Sequence, residues 1–345
     1  MRAKNYVMLC IAIMMLAVCL CGCGSKKEEK TEASTEAASV NDTGSTEAEA
    51  VPVYEQDDSY LHITYDGKDY TYNSGIITVM YAGVDSNSDL ETYNRYSIAP
   101  RADTIELIIF DDYNKKISIL AISRDTITSV ARYTMNGNYR DNYDTHLGYA
   151  YTYGDGGQAS CYNLVEAVRG LLKDVPIHEY VITNNSSIGK LNNIVGGVTV
   201  TVPNDDLKEI DSSLTKGSVV ALDDATADTF TRWRDTSILY SNNGRIERQK
   251  EFSIQFFRKF VEMAENDVDG TWKKIEEFSE KYQTSIGRNQ YLDLVDRLKT
   301  EEFQENQYYI LQGKDEYDEN NNVDLFYVDE ENLMETILTL FYLED

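Results

Sequence analysis

Two apolar patterns alternate along most of this chain. Short unbroken runs at 76–82, 104–110, 116–122 and 179–183 are rich in Ile, Val and Leu, and they read as strands covered on both faces. Apolar residues at helical spacing predict helices over 160–173, 186–195, 223–230, 246–264, 272–282 and 290–298. Asp223 stands where an N-cap belongs, and Gly196-Gly197 makes a turn into a strand over 198–202. Earlier, Leu61-His62-Ile63-Thr64-Tyr65 and Tyr70-Thr71-Tyr72 flank Asp66-Gly67-Lys68, a hairpin signature. Alternating strands and helices predict an α/β fold, three-layer α/β/α around a central mixed sheet, with polar strand ends along one edge.

The two ends of the chain read differently. Met1-Arg2-Ala3-Lys4, an apolar run to Leu20 and the junction Leu20-Cys21-Gly22-Cys23 describe an export signal over 1–22. The Leu-x-Gly-Cys ending resembles a bacterial lipoprotein signal, which implies acylation of Cys23 and a lipid-anchored protein on the extracytoplasmic face of the cell membrane. A plain secretion signal is the simpler alternative. Residues 23–57, mostly Lys, Glu, Ser, Thr and Ala, read as a disordered tether. An α/β domain is expected over 58–265, and a helical, acidic extension over 266–345. The stripe Leu333, Met334, Ile337, Leu338, Leu340, Phe341 in that extension reads as core packing, because its polar face lacks Lys and Arg.

Once the signal is set aside, Cys161 is the single cysteine left, which excludes an internal disulfide, and it reads as a small buried residue. The net charge of −27 argues against nucleic acid as a partner. It also makes the clustered arginines conspicuous: Arg232 and Arg234, then Arg245, Arg248 and Gln249, with Arg101 and Arg124 at strand ends upstream. Guanidinium groups grip phosphate in bidentate fashion, and Asp85 and Asp103 supply the hard oxygens that Mg²⁺ takes when substrate phosphate completes its shell. Period-2 alternation puts Arg101 and Asp103 on one side, and Arg245, Arg248 and Gln249 suit a helix amino terminus. Taken singly, each arginine is equally well explained as a surface ion pair.

Residues 76–251 resemble the LytR-CpsA-Psr (LCP) family of bacterial cell-wall glycopolymer ligases. The resemblance rests on Gly83-Val84-Asp85, Arg101-Ala102-Asp103-Thr104, Ile122-Ser123-Arg124-Asp125-Thr126, Gly196-Gly197-Val198 with Val202-Pro203, Arg232-Trp233-Arg234 and Gly244-Arg245-Ile246-Glu247-Arg248-Gln249. It implies a Mg²⁺-dependent phosphotransferase that moves a teichoic acid, capsule or similar glycan from a polyprenyl diphosphate carrier to a peptidoglycan sugar hydroxyl. By the same carry-over Asp85 and Asp103 match the metal-associated acids, and Arg101, Arg124, Arg232, Arg234 and Gln249 the pyrophosphate-binding set, with Arg245 and Arg248 close by. Either Asp103 or Asp125 could be the base. An apolar pocket walled by the helices after Ser160 and Ser186 would hold the lipid tail. The chain departs from the family at Ser86-Asn87, where an Arg is usual, at His146-Leu147-Gly148, where Lys-x-Asn is common, and in its lipoprotein-like start. Two rival readings share these residues: a lipoprotein that binds polyprenyl phosphates or wall glycans without turnover, and a Tyr-rich wall adhesin.

Overall fold

The chain is described by a computed structural model covering residues 58–345 except 87, 185, 186, 236 and 279–281. The expected signal, the tether and Cys23 lie outside these residues.

β1 (His62–Tyr65) and β2 (Lys68–Tyr72) form the expected hairpin, with Asp66 at φ 51° and Gly67 at φ 75°, the pair of positive angles that its two-residue turn requires. The apolar runs become β3 (Ile76–Val84), β4 (Ala102–Asp111) and β5 (Lys116–Ala121). A second hairpin follows, β6 (Ile127–Tyr133) and β7 (Tyr139–His146), then α1 (Tyr149–Thr152), α2 (Gln158–Leu171), β8 (Glu179–Asn184) and α3 (Ile188–Ile194). β9 (Thr199–Thr201) and β10 (Val219–Ala221) make a small ribbon of their own before α4 (Asp224–Arg232), α5 (Asn242–Asn266) and α6 (Val268–Glu276). The chain ends with β11 (Tyr282–Thr284), α7 (Arg288–Leu298), β12 (Glu302–Ile310), β13 (Gly313–Asp318), β14 (Val323–Val328), α8 (Glu330–Phe341) and β15 (Tyr342–Glu344).

Six strands form the central sheet in the order β11-β8-β3-β4-β5-β12. β3 pairs parallel with β8 and antiparallel with β4, and β5 pairs parallel with β12, so the sheet is mixed as expected. Alternation along β4 sends Ile108 and Phe110 into one core, with α3 to α7, and Ile105, Leu107 and Ile109 into the other, with α1, α2 and α8. Burying apolar area on both faces is the main stabilisation of such a sheet, at roughly 25 cal/mol per Å². The stripe from Leu333 to Phe341 packs into the second core, as its missing basic face predicts, and Cys161 is buried and free. Asp223 caps α4 by accepting from the Thr226 amide at 2.8 Å.

Three elements differ from the sequence reading. Residues after 265 are not purely helical, because β11 and β12 close the two edges of the central sheet and β15 pairs with β2. α5 starts at Asn242 rather than near Ile246, which moves Arg248 and Gln249 from the first turn into the second. The segment expected as helix over 272–282 is split, with α6 ending at Glu276 and Tyr282 opening β11.

Candidate functional site

The site forms where β3 ends and β4 begins. The Asp85 amide donates to the Arg101 carbonyl at 2.8 Å, which draws the two chain segments together after a long loop. Gly83 then pairs with Thr104 and Val84 with Ala102, so Asp103 is an extra, unpaired residue. A bulge of this kind breaks period-2 alternation. Its effect is visible in the contacts, since Asp103 and the adjacent Thr104 both reach α5, through Arg245 and Gln249.

Arg124 enters from the turn after β5, closed by the Thr126 amide donating to Ser123 O at 3.1 Å. Its buried guanidinium pairs with Asp103 and lies with Nε 3.4 Å from Asp125 Oδ1. Arg245, also buried, approaches Asp103 Oδ2 at 3.4 Å, and Arg101 Nε stands 3.7 Å from Asp103 Oδ1. Asn242 organises the group from the first turn of α5. Its Oδ1 accepts from Arg245 Nε and Nη2 at 3.1 and 2.7 Å, and its Nδ2 donates to Asp125 Oδ2 at 2.9 Å. On the far side of Asp125, His146 Nδ1 lies 3.6 Å from Oδ1. Arg124 Nε and His146 Nδ1 are buried and make no hydrogen bond among the described residues, and both face that one carboxylate oxygen.

At the centre three guanidinium groups, Arg101, Arg124 and Arg245, meet two carboxylates, Asp103 and Asp125, with Arg234 and Asp85 at the margin. Burial, reinforced by the charge of Arg124, pulls the Arg245 guanidinium down to about 10, and burial and Arg124 lower Arg234 as well. Arg124 is raised despite its burial, because Asp103 and Asp125 outweigh it. Asp125 is held low, since His146 and Arg124 overcome the effect of its burial. Buried guanidinium groups that repel one another are a set that an added anion can stabilise.

The sequence-derived residues divide accordingly. Asp103, Arg101, Arg124, Asp125 and Arg245 share one cluster, and Arg234 reaches it electrostatically while pairing with Asp324 at 3.7 Å. Gln249 lies beside it, donating to Thr104 Oγ1 at 3.0 Å and to Thr231 O at 3.1 Å. Arg232 ends α4 paired with Asp228 at 2.8 Å. Arg248 is turned away: wholly buried, it donates to Phe230 O, Trp233 O, Asn204 Oδ1 and Asp206 Oδ2, so it ties the end of α4 to the loop after β9. At about 100° per residue Arg245 and Gln249 share a face of α5, while Arg248 lies about 100° round from Gln249. Asp85 is exposed, and its charge acts on Arg124. Asp85 and Asp103 therefore flank the same guanidinium. Among the described residues no group of three or more His, Cys, Asp or Glu is placed to hold a metal. Among the described residues these two carboxylates are all that the cluster's edge offers a cation, which would need phosphate and water to complete its shell, as Mg²⁺ does.

Asn242 and His146 were not read from the sequence as site residues. Asn242 precedes Arg245 by three positions, a spacing that a helix begun at 242 makes meaningful. Glu106 was missed too; it lies buried under the hydroxyls of Tyr308 and Ser253 at 2.6 and 3.0 Å, and burial raises it. A narrow pocket of about 20 Å³ runs from Asp103 and Arg124 to Glu106, and a narrow apolar cleft of about 30 Å³ adjoins it, sharing Thr104 and Gln249. Tyr81, Ile188, Leu191, Phe252 and Phe256 line the cleft. α3 is thus a wall, as expected of the helix after Ser186. α2 is not, because Cys161 and Leu164 bury it in the core on the opposite face of the sheet.

Residues 29–340 match the model of the LytR_cpsA_psr family. No curated protein matches the chain. Among solved structures, the chain is similar to TagV of B. subtilis, at 24% identity over 77% of this chain and 95% of that one, with a TM-score of 0.56. Protein gbs0355 of Streptococcus agalactiae matches at 19% identity over 77% of this chain and 86% of that one, with a TM-score of 0.60. A structure of TagT bound to LI-WTA matches at 20% identity over 77% and 90% of the two chains, with a TM-score of 0.55. At these identities the likeness establishes the shared fold.

Proposed function

Since this chain belongs to the LytR_cpsA_psr family, we propose that it is a cell-wall glycopolymer transferase, moving a glycan from a polyprenyl diphosphate carrier to a peptidoglycan sugar hydroxyl. The observation that carries this reading is the buried arginine cluster, in which Arg124 and Arg234 both act against the charge of Arg245, opening through Thr104 and Gln249 into an apolar cleft. A diphosphate bearing a lipid tail has that pairing of charge and apolar length. The TagT structure bound to LI-WTA supports a wall-polymer ligand for the fold.

In this mechanism the diphosphate lies across Arg101, Arg124, Arg234 and Arg245, and the tail runs into the cleft between α3 and α5. Mg²⁺ held by Asp85 and Asp103 would neutralise charge on the diphosphate oxygens. Phosphoryl transfer asks a protein mainly for alignment and charge stabilisation, with a carboxylate to orient the incoming hydroxyl. Asp125 suits that role better than Asp103, because its Oδ1 takes no hydrogen bond from the Arg124 Nε and His146 Nδ1 that face it, whereas three guanidinium groups and the cation would share Asp103. The acceptor O–H gives its proton to Asp125 Oδ1 as its oxygen bonds the sugar-side phosphorus. The bridging P–O bond breaks, and the electron pair leaves on the lipid monophosphate beside the arginines. Acylation of Cys23 would hold the enzyme at the outer face of the membrane, near its lipid-linked donor.

Incubation of the full chain in detergent with a polyprenyl diphosphate-linked glycan, Mg²⁺ and purified peptidoglycan tests the proposal. Glycan covalently joined to peptidoglycan is expected, with about a 100-fold loss for Arg124→Ala. Binding of the donor with no joined product from the wild type would reduce the protein to a carrier.

A further inference from the structure

On the face of the sheet opposite the lipid cleft, a line of rings leads outward from the cluster. Arg101, at its inner end, lies 5.6 Å from the centre of the Tyr149 ring. Tyr149 also faces His146, at 5.6 Å between centres, and stacks on Tyr153 at 6.3 Å with 30° between planes. Tyr153 is within electrostatic reach of Arg132 and Tyr143, and Arg132 lies flat over the Tyr143 ring at 4.1 Å. Exposure rises along the line, from half-buried Tyr149 and Tyr153 to Tyr143, which is 50% exposed.

The backbone sets this direction. The β6–β7 hairpin starts just after Asp125, and its first pair is Ile127 with His146, so its base is the hydroxyl-orienting carboxylate and its strands run away from it. α1, which carries Tyr149, is anchored through Ala150 and Tyr151 in the second core. The cleft is lined from the first core, by Leu191, Phe252 and Phe256. In-line displacement requires the incoming hydroxyl to approach from the side away from the leaving lipid phosphate. The ring line occupies that side.

Charge identifies the occupant. Asp141 neutralises Arg132 through two hydrogen bonds of 2.7 Å, so at the outer end the guanidinium offers a flat surface rather than a site for an anion. Tyr rings present apolar faces with a polar edge, a surface that suits the C–H face of an uncharged sugar. Arg140 also approaches Asp141, at 3.7 Å, and with Asp144 the hairpin carries two cations and two carboxylates, so it offers an anionic glycopolymer no net attraction.

We propose that Tyr149, Tyr153 and Tyr143 form the track on which the acceptor glycan strand lies, with the reacting hydroxyl delivered to Asp125 at its inner end. The assignment of this strand as acceptor rests on the transferase reading above; the sugar-binding surface is testable without it.

The test measures binding of soluble, uncharged N-acetylglucosamine strands to the full chain in detergent by calorimetry, with transfer kinetics on purified peptidoglycan in parallel. Tyr143→Ala, a change at an exposed ring, is expected to weaken strand binding and raise the acceptor KM by about 3- to 10-fold, the scale of one lost stacking contact. Polyprenyl diphosphate binding should not change, and Tyr143→Trp should restore strand affinity. A Tyr143→Ala protein that binds strands like the wild type overturns the track, as does a wild type that binds none. So does equal loss of strand and lipid binding in Tyr143→Ala, which would mean a folding defect. Strand binding that follows the tyrosines in a protein that joins no glycan upholds the surface and overturns the transferase reading alone.

Discussion

Arg245→Met separates a residue held for a ligand from one held for the fold. Arg245 is 3% exposed, and its guanidinium is pulled down to about 10, well below its ordinary value, by burial and by Arg124. That difference corresponds to about 3 kcal/mol spent in keeping the side chain charged in the folded protein. Methionine has similar length and no charge, so the substitution removes that cost. It also removes two hydrogen bonds to Asn242 Oδ1 and the contact with Asp103, a loss of about 1–3 kcal/mol for the orphaned polar groups. The opposing effects nearly cancel, and the ligand-free variant is expected to unfold within about 1 kcal/mol of the wild type. Inorganic pyrophosphate should reveal the difference. At about 100 times its dissociation constant it would stabilise the wild type by about 2.7 kcal/mol, and this gain should largely vanish in Arg245→Met. Urea unfolding with and without pyrophosphate measures both quantities. A loss of about 3–5 kcal/mol without ligand, the usual consequence of breaking a buried ion pair, would make Arg245 structural and refute the reasoning, as would an undiminished response to pyrophosphate.

Arg248→Met should behave in the opposite way, costing about 3 kcal/mol in urea unfolding because the carbonyls of Phe230 and Trp233 lose their donor, with the pyrophosphate response intact. Glu301, beside Arg297, is pushed up to about 7 by burial from an ordinary 4.5, so between those pH values the folded state binds the extra proton and stability falls as pH rises. Glu301→Gln should flatten this dependence by about 1–2 kcal/mol between pH 4.5 and 7, as read from unfolding midpoints across that range; an unchanged slope would place the titration elsewhere.

How far the fold was legible follows from what each element buries. β3, β4, β5 and β8 are covered on both faces, so their sequences are continuous apolar runs that no helix periodicity imitates. β12 is an edge strand in which Phe303 and Tyr308 are buried and Glu302, Gln304, Glu305 and Asn306 exposed, a pattern that hides a strand inside an acidic stretch. The β6–β7 hairpin is similarly polar, with Arg132, Asp141 and Asp144 among its residues, and only Val130 and His146 deeply buried. Within the site, the arginines stood out against an acidic chain. What they touch did not, because the Asp103 bulge is a property of strand pairing, and which elements the Arg245 and Arg248 sides of α5 pack against is set by the tertiary fold. The choice of Asp125 over Asp103 needed the positions of three arginines that lie up to 144 positions apart in the chain.

Both margins of the central sheet are supplied late. β11 and β12 pair with β8 and β5, and β15, the last strand of all, completes the sheet begun by β1 and β2. A chain leaving the ribosome amino terminus first therefore carries its sheet interior for many seconds with both borders unpaired. Closure must await the carboxyl terminus, and these distant pairings make folding slow and nearly all-or-none. Truncated products of such a chain have open sheet borders by which proteases and chaperones can recognise them.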